Sequence, residues 1–193
     1  MINNYCRHLK EIQIDYEPLH RIQKTHDLTK LMIFKYPIVD KGLTKFLEQF
    51  DLMVSMAEVF YIPPQTVMPI HVDSDVFSNC CKLNWIVGGG DMIWYEPLLN
   101  KPLHFHTTPI GTKYLLFEAD EVREVYRDKI GRPSLVNAGL AHNVHNNTDE
   151  GRWCISHNVN CLKTRKKVEF LEVAERLKDY IVERGQDGNA ADC

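Results

Sequence analysis

The sequence contains no apolar run long enough for a membrane span or a signal peptide, so we expect a protein that is made and kept in the cytoplasm. It has no excess of basic residues, because 23 lysines and arginines stand against 26 aspartates and glutamates. The formal net charge of −3 removes the simplest argument for nucleic-acid binding. Its six cysteines include no C-x-x-C pair, which argues against a disulfide-dense scaffold and a zinc ribbon.

The sequence also lacks internal repeats, low-complexity segments and nucleotide-binding fingerprints. Its 193 residues, with 44% hydrophobic and 25% charged side chains, predict one domain over residues 1–185 and a flexible tail at 186–193. The first 50 residues are mixed in character and contain a short predicted helix at 41–50. A second, amphipathic helix is predicted at 166–184, where it packs outside a sheet or forms a dimer contact, so we expect a monomer or a weak homodimer.

The middle of the chain has the character of a β protein. Between residues 53 and 158, short runs rich in Val, Ile, Phe, Tyr and Trp are separated by Gly, Pro and Asn. Many short strands with frequent turn residues are typical of an antiparallel sandwich, a jelly roll or a small barrel. The sequence therefore predicts a mainly β fold with flanking helices.

His71-Val72-Asp73 is the first candidate for chemistry. In an extended strand, residues i and i+2 point to the same face, so one imidazole and one carboxylate would project side by side and could bind one metal ion. Asp75 lies on the same face and is a competing carboxylate. The alternative is a histidine at a strand end beside a solvated aspartate.

Further histidines offer two ways to complete a metal site. His142 and His145 are three residues apart and face opposite ways in an extended chain, so only one of them readily joins the site. His104 and His106 share a strand face, and with His142 they would make a three-histidine site of the kind found in cupin-type metal proteins. The first cupin motif requires a glutamate shortly after the histidine pair, and residues 107–111 contain none.

Arg152 begins a predicted strand in which Arg152, Cys154 and Ser156 share one face. An arginine that points into an apolar interior needs a carboxylate partner, because the desolvation penalty of the charge is several kcal/mol. The alternative is an arginine at the rim of the fold, paired with Asp149 or Glu150.

The ordered set His71-x-Asp73, His142 and, ten residues later, Arg152 resembles the Fe(II)- and 2-oxoglutarate-dependent dioxygenases. It is most similar to the aspartyl/asparaginyl β-hydroxylase-like branch and its small bacteriophage relatives. The resemblance covers residues 60–158, about half of the chain. It implies a double-stranded β-helix, which is a cupin-like jelly roll with flanking helices.

Local stretches carry the same resemblance. Leu83-Asn84-Trp85 and residues 92–96 are similar to the segment that follows H-x-D in the phage members. Many relatives carry serine two residues after the arginine, whereas this chain has Cys154, which either weakens the expected local contact or shifts it to Ser156. The aspartyl/asparaginyl hydroxylases proper can lack the carboxylate ligand that Asp73 would provide, so a peptidyl Asp or Asn substrate does not follow.

The resemblance implies that His71, Asp73 and His142 bind Fe(2+). Arg152 would bind the distal carboxylate of 2-oxoglutarate, with Ser156 and Asn84 beside it. The implied activity is O2-dependent hydroxylation of a small molecule or a protein side chain, with release of succinate and CO2. Two alternatives stay open: a cupin-type metal protein without 2-oxoglutarate, and a jelly-roll binding module with no catalytic role.

Alanine substitutions separate the two sets of ligands. We expect His71→Ala to abolish binding of Fe(II) and His104→Ala to leave it intact, because the first removes a predicted ligand and the second does not. Isothermal titration of each anaerobic variant with Fe(II) measures this difference. The reverse result would favour the three-histidine site.

Overall fold

Strands make up about half of the residues that the computed structural model describes, which are 3–10, 12, 14, 28–36, 40–74, 77–98, 104–107, 111 and 113–182. The strands, in chain order, are β1 Cys6–His8, β2 Met32–Tyr36, β3 Leu52–Ile62, β4 Thr66–Val67, β5 Ile70–Val72, β6 Cys81–Val87, β7 Asp91–Pro97, β8 His104–Thr107, β9 Lys113–Phe117, β10 Val122–Lys129, β11 Ser134–Asn137, β12 His142–Asn146 and β13 Arg152–Cys161. The helices are α1 Lys41–Glu48 and α2 Phe170–Arg176, with 3₁₀ turns at Ala119–Glu121 and Lys178–Tyr180.

The strands form two antiparallel sheets. The first has the order β1-β11-β6-β13-β3-β2, and the second has the order β10-β7-β12-β5-β9-β8, with β4 also paired to β12. From β5 to β7, and again from β11 to β13, the chain passes between the sheets at each successive strand. The central strands β11-β6-β13-β3 and β10-β7-β12-β5 therefore wind as a double-stranded β-helix, and the predicted jelly roll is confirmed.

The first sheet is buried on both faces, and the alternation of side chains along β13 shows how. Trp153 and Ile155 point to one side, where they join the largest apolar cluster together with Leu43 of α1 and Phe170 of α2. Cys154, between them in sequence, belongs to a different cluster on the other side. The helices thus cover the outer face, and the inner face of the sheet is left to face the second sheet.

The two helices match their predictions unequally. α1 begins after Asp40, whose side chain accepts a hydrogen bond from the Leu43 amide at 2.7 Å, and the helix lies within the predicted 41–50. α2 is much shorter than the predicted 166–184, because residues on either side of it form isolated β-bridges instead. Glu169 bridges to Cys80, and Ile181 bridges to a residue next to β1.

The predicted tail at 186–193 lies outside the described residues, and the assignment of a single domain stays a prediction. The N-terminal residues that are described extend the jelly roll, since β1 and β2 form the two edges of the first sheet. Within the described residues, we find no helix with both the length and the apolar character needed to cross a membrane.

His157 makes the fold sensitive to acid. Its side chain is buried on β13 against Trp85. Burial lowers its pKa from the ordinary value of 6.5 to about 4. The histidine of the unfolded chain takes up a proton near pH 6.5, whereas that of the folded chain does so only near pH 4. The free energy of unfolding is therefore unaffected by His157 above pH 6.5 and falls as the pH drops towards 4.

We expect His157→Gln to remove on the order of 3 kcal/mol of the fall in unfolding free energy between pH 7 and pH 4, at about 1.4 kcal/mol for each pH unit between the two pKa values. Urea denaturation of the metal-free protein at several pH values measures this slope. An identical slope in the wild type and the variant would contradict the assignment.

Candidate metal centre

The pairing of β5 with β12 brings together residues that are far apart in the sequence. His71 lies directly opposite His142 in this antiparallel pair, so both rings point to the same face, with their centroids 4.5 Å apart. Asp73 follows β5, and its Oδ1 lies 3.2 Å from the Nε2 of His71. One potential ligand atom from each of the three residues lies within 4.8 Å of the other two.

Both imidazole rings are oriented by backbone carbonyls. The Nδ1 of His71 lies 2.9 Å from the Pro69 carbonyl oxygen, and the Nδ1 of His142 lies 2.8 Å from that of Leu140. Because a carbonyl oxygen only accepts hydrogen bonds, each Nδ1 carries the hydrogen, and the Nε2 lone pair of a neutral ring is left for a metal ion. Burial and, to a smaller extent, the neighbouring His71 lower the pKa of His142 to about 4. The ring is therefore neutral at neutral pH, which is the form that binds a metal ion.

Asp73 is held in the ionised form by a buried lysine. The Nζ of Lys82 lies 2.8 Å from Asp73 Oδ2 and 3.4 Å from Glu58 Oε2. Burial acts to raise the pKa of Asp73, but Lys82 and the two histidines outweigh it and hold the pKa well below its usual range. Lys82 thus occupies one carboxylate oxygen and leaves the other directed at His71. Asp75, the competing carboxylate, lies outside the described residues.

Arg152 is the first residue of β13 and is only 1% exposed. Its Nε and Nη1 find no hydrogen-bond partner among the residues that the structure describes. Asp149 and Glu150, which both lie among the described residues, form no ion pair with it, so the alternative of an arginine at the rim does not hold. Burial lowers the pKa of Arg152, with Cys154 and Asp91 opposing, yet a guanidinium remains charged at any physiological pH.

A cavity of about 400 Å³ between the two sheets is lined by His71, Asp73, Lys82, His142 and Arg152. Arg152, Cys154 and Ser156 line it from one strand, as the alternation of side chains predicts. Asn84 also lines it, and its Oδ1 has no partner among the described residues. The rest of the wall is largely apolar and includes Phe60, Met68 and Val144. A guanidinium that has two nitrogens without a partner among the described residues therefore lines the same cavity as three potential metal ligands.

The alternative three-histidine site does not form. In the second sheet, His104 pairs with Leu116, Leu116 pairs with His71, and His71 pairs with His142. Three strand spacings of about 4.8 Å place the backbones of His104 and His142 roughly 14 Å apart. His104 is exposed on the edge strand β8, whereas His106 lines the cavity. The ligand set of His104, His106 and His142 is therefore wrong.

Sequence reasoning missed three residues of this site. Lys82 lies two residues before Asn84 and so shares its strand face, a signal that alternation alone could have supplied. Glu58 is buried on β3, and its role depends on a strand pairing that the sequence does not specify. The ring of Tyr114 on β9 lies 5.1 Å from that of His71, and burial raises its pKa, so the phenol keeps its proton.

The chain matches no protein-family model, and none of the curated proteins matches it. Among solved structures it is similar to CapF in complex with the inhibitor 3-isopropenyl-tropolone, with 11% identity over 69% of this chain and 29% of that one and a TM-score of 0.34. It is similar to oxalate decarboxylase from Bacillus subtilis, with 10% identity over 77% and 30% and a TM-score of 0.31. It is also similar to a cupin domain from Bordetella pertussis Tohama I, with 12% identity over 70% and 98% and a TM-score of 0.30.

The chain thus spans less than a third of CapF and of oxalate decarboxylase. At TM-scores this low, the likenesses carry no argument about function. The function has to be inferred from the geometry of the cavity.

The cluster of Lys82, Asp73 and Glu58 predicts a large effect of one substitution. Lys82→Met would leave two buried carboxylates without their cation, so we expect it to lower the free energy of unfolding by about 3–5 kcal/mol. Adding Glu58→Gln should restore part of this loss, because it removes one of the two buried anions. Chemical denaturation at neutral pH measures both effects.

Lys163→Met is the matched control, since Lys163 pairs with Asp51 on the surface and should contribute little. A Lys82→Met variant as stable as this control would contradict the role given to Lys82.

Proposed function

We propose that this protein is an Fe(II)- and 2-oxoglutarate-dependent oxygenase that hydroxylates a small molecule or a protein side chain and releases succinate and CO2. The observation that carries the proposal is the buried guanidinium of Arg152, whose Nε and Nη1 have no hydrogen-bond partner among the described residues and which lines the same cavity as His71, Asp73 and His142. A buried cation of this kind costs several kcal/mol unless an anion meets it.

The donor set fits iron. Two imidazole nitrogens and one carboxylate oxygen are the ligands of the 2-His-1-carboxylate facial triad, which leaves positions on Fe(II) open for other ligands. In this chain, His71 and His142 would offer Nε2, and Asp73 would offer the oxygen that Lys82 does not occupy. The carbonyls behind the two rings hold them in the required tautomer.

The polar groups that line the cavity from β13 and β6 fit a carboxylate ligand. The planar fork of Arg152 matches the two oxygens of a carboxylate better than an ammonium does. Ser156 and Asn84 line the same cavity and offer a hydroxyl and an amide as additional polar contacts. Lys82 is already paired with Asp73 and Glu58, whereas Nε and Nη1 of Arg152 have no partner among the residues that the structure describes.

The charges of the cavity agree with this pair of ligands. With both imidazoles neutral, the two carboxylates of Asp73 and Glu58 balance the two cations of Lys82 and Arg152. A divalent metal ion alone would leave this largely apolar cavity with two positive charges. A dianionic co-substrate such as 2-oxoglutarate restores neutrality.

When bound, iron and 2-oxoglutarate supply the oxidising power that transfers one oxygen atom of O2 to a C–H bond of the substrate. The residues of the chain position the co-substrate and exclude water. Arg152 orients the co-substrate towards the metal ligands, and the apolar walls keep water from the reacting groups. Tyr114 remains a neutral phenol beside His71 and can donate a hydrogen bond into the cavity.

Turnover of 2-oxoglutarate tests the proposal. The purified protein with Fe(II) and O2 should form succinate slowly even without a substrate. Arg152→Gln should raise the KM for 2-oxoglutarate about 10- to 150-fold, because a charge-assisted hydrogen bond contributes about 1.5–3 kcal/mol. Affinity for Fe(II) should not change, since Arg152 is not among the metal ligands.

Arg123→Gln is the control, because Arg123 is exposed on β10 and pairs with Glu96. Two results would count against the proposal: succinate no higher than in a metal-free sample, or an unchanged KM in Arg152→Gln.

A further inference from the structure

A second group of potential metal ligands joins the edges of the two sheets. Cys6 and His8 lie on β1, which is the edge strand of the first sheet, and Asp128 lies on β10, which is an edge strand of the second. One potential ligand atom from each lies within 4.8 Å of the other two. The group is separate from the candidate metal centre, because β7 and β12 lie between β10 and β5.

The hydrogen bonds around His8 direct one of its nitrogens at the cluster. The hydroxyl of Ser134 donates to the Arg132 carbonyl oxygen at 2.9 Å, so it accepts from the Nδ1–H of His8 at 3.0 Å. The Nε2 of His8 therefore faces Asp128, whose Oδ2 lies 3.3 Å away. In a neutral imidazole this Nε2 carries a lone pair, and a lone pair that faces a carboxylate is repelled unless a proton or a metal ion lies between them.

Asp128 is oriented in the same manner. The hydroxyl of Tyr126 donates to Asp128 Oδ2 at 2.8 Å, and the side-chain amide of Asn3 donates to the Tyr126 oxygen at 2.6 Å. Hydrogen-bonded carboxylates and histidines of this kind are the usual surroundings of protein metal sites. Cys6 is only 2% exposed, and the side chains of His8 and Asp128 are 21% and 15% exposed, so the cluster is sheltered but can be reached from solvent.

We propose that Cys6, His8 and Asp128 bind a divalent metal ion of the zinc type, which ties the N-terminal strand to β10. A thiolate, an imidazole and a carboxylate are the three kinds of side chain that zinc uses, and three protein ligands leave a fourth position for water. Zinc bonds of about 2.0–2.3 Å require ligand atoms roughly 3.5 Å apart, so the side chains need to approach by about 1 Å.

Cobalt(II) tests the proposal, because a thiolate bound to cobalt gives a near-ultraviolet charge-transfer band that histidine and carboxylate ligands do not give. We expect this band in the wild type and in His71→Ala, which lacks a ligand of the candidate metal centre. Cys6→Ser should lose it. Cys154→Ser is the matched control, since it also removes a buried thiol, and it should keep the band. Added zinc should displace the cobalt and abolish the band.

A second measurement does not require a change at a buried position. In the His71→Ala background, zinc should raise the Tm, because the ion binds the folded state only. Asp128→Asn keeps the size of the side chain but removes its charge, and it should raise the zinc concentration needed for half of this shift by at least about tenfold.

Three results would overturn the proposal. They are the absence of a thiolate band in the wild type, a band that survives Cys6→Ser, and a zinc-induced Tm shift that is unchanged by Asp128→Asn. An ion pair between a protonated His8 and Asp128 would produce the first of these.

Discussion

The candidate metal centre depends on one strand pairing. β5 and β12 meet in a register that sets His71 directly opposite His142. Since successive side chains on a strand point to opposite faces, a slip of one residue would turn one of the two imidazoles out of the cavity. Asp73 lies beside His71 through the local period of the strand, so the same register brings both of them to His142. The helices outside the first sheet contribute indirectly, since they bury its outer side chains and leave the inner face to line the cavity.

Charge inside an apolar space is the second constraint. Lys82, Asp73 and Glu58 satisfy one another by direct ion pairs, so this part of the cavity carries its own compensation. Arg152 differs, because two of its nitrogens have no partner among the described residues. Folding alone gives no reason to bury such a group, whereas binding of a carboxylate does. This asymmetry between the lysine and the arginine is what links the fold to the proposed chemistry.

The sequence predicts contacts between residues that are close in the chain better than contacts between residues that are far apart. His71 and Asp73, like Arg152 and Ser156, share faces because the period of a strand is local. That His142 meets His71 is a long-range pairing, which the sequence indicates only through its resemblance to a known family.

The errors have the same origin. His104 has the same i, i+2 spacing as the residues of the centre, but the order of strands places it at the edge of the sheet, which spacing cannot reveal. The helical period of apolar residues continues beyond α2 on both sides, yet residues there pair with strands. The local period of apolar residues cannot show that pairing with other segments competes with helix formation, so the predicted helix is too long.

A crystal structure with Mn(II) in place of iron and with 2-oxoglutarate bound under anaerobic conditions tests the central claim most directly. We expect one manganese ion bound by His71, Asp73 and His142, with the distal carboxylate of 2-oxoglutarate paired to Arg152. Manganese bound by other side chains, or 2-oxoglutarate absent from the cavity while Arg152 remains without a partner, would contradict it.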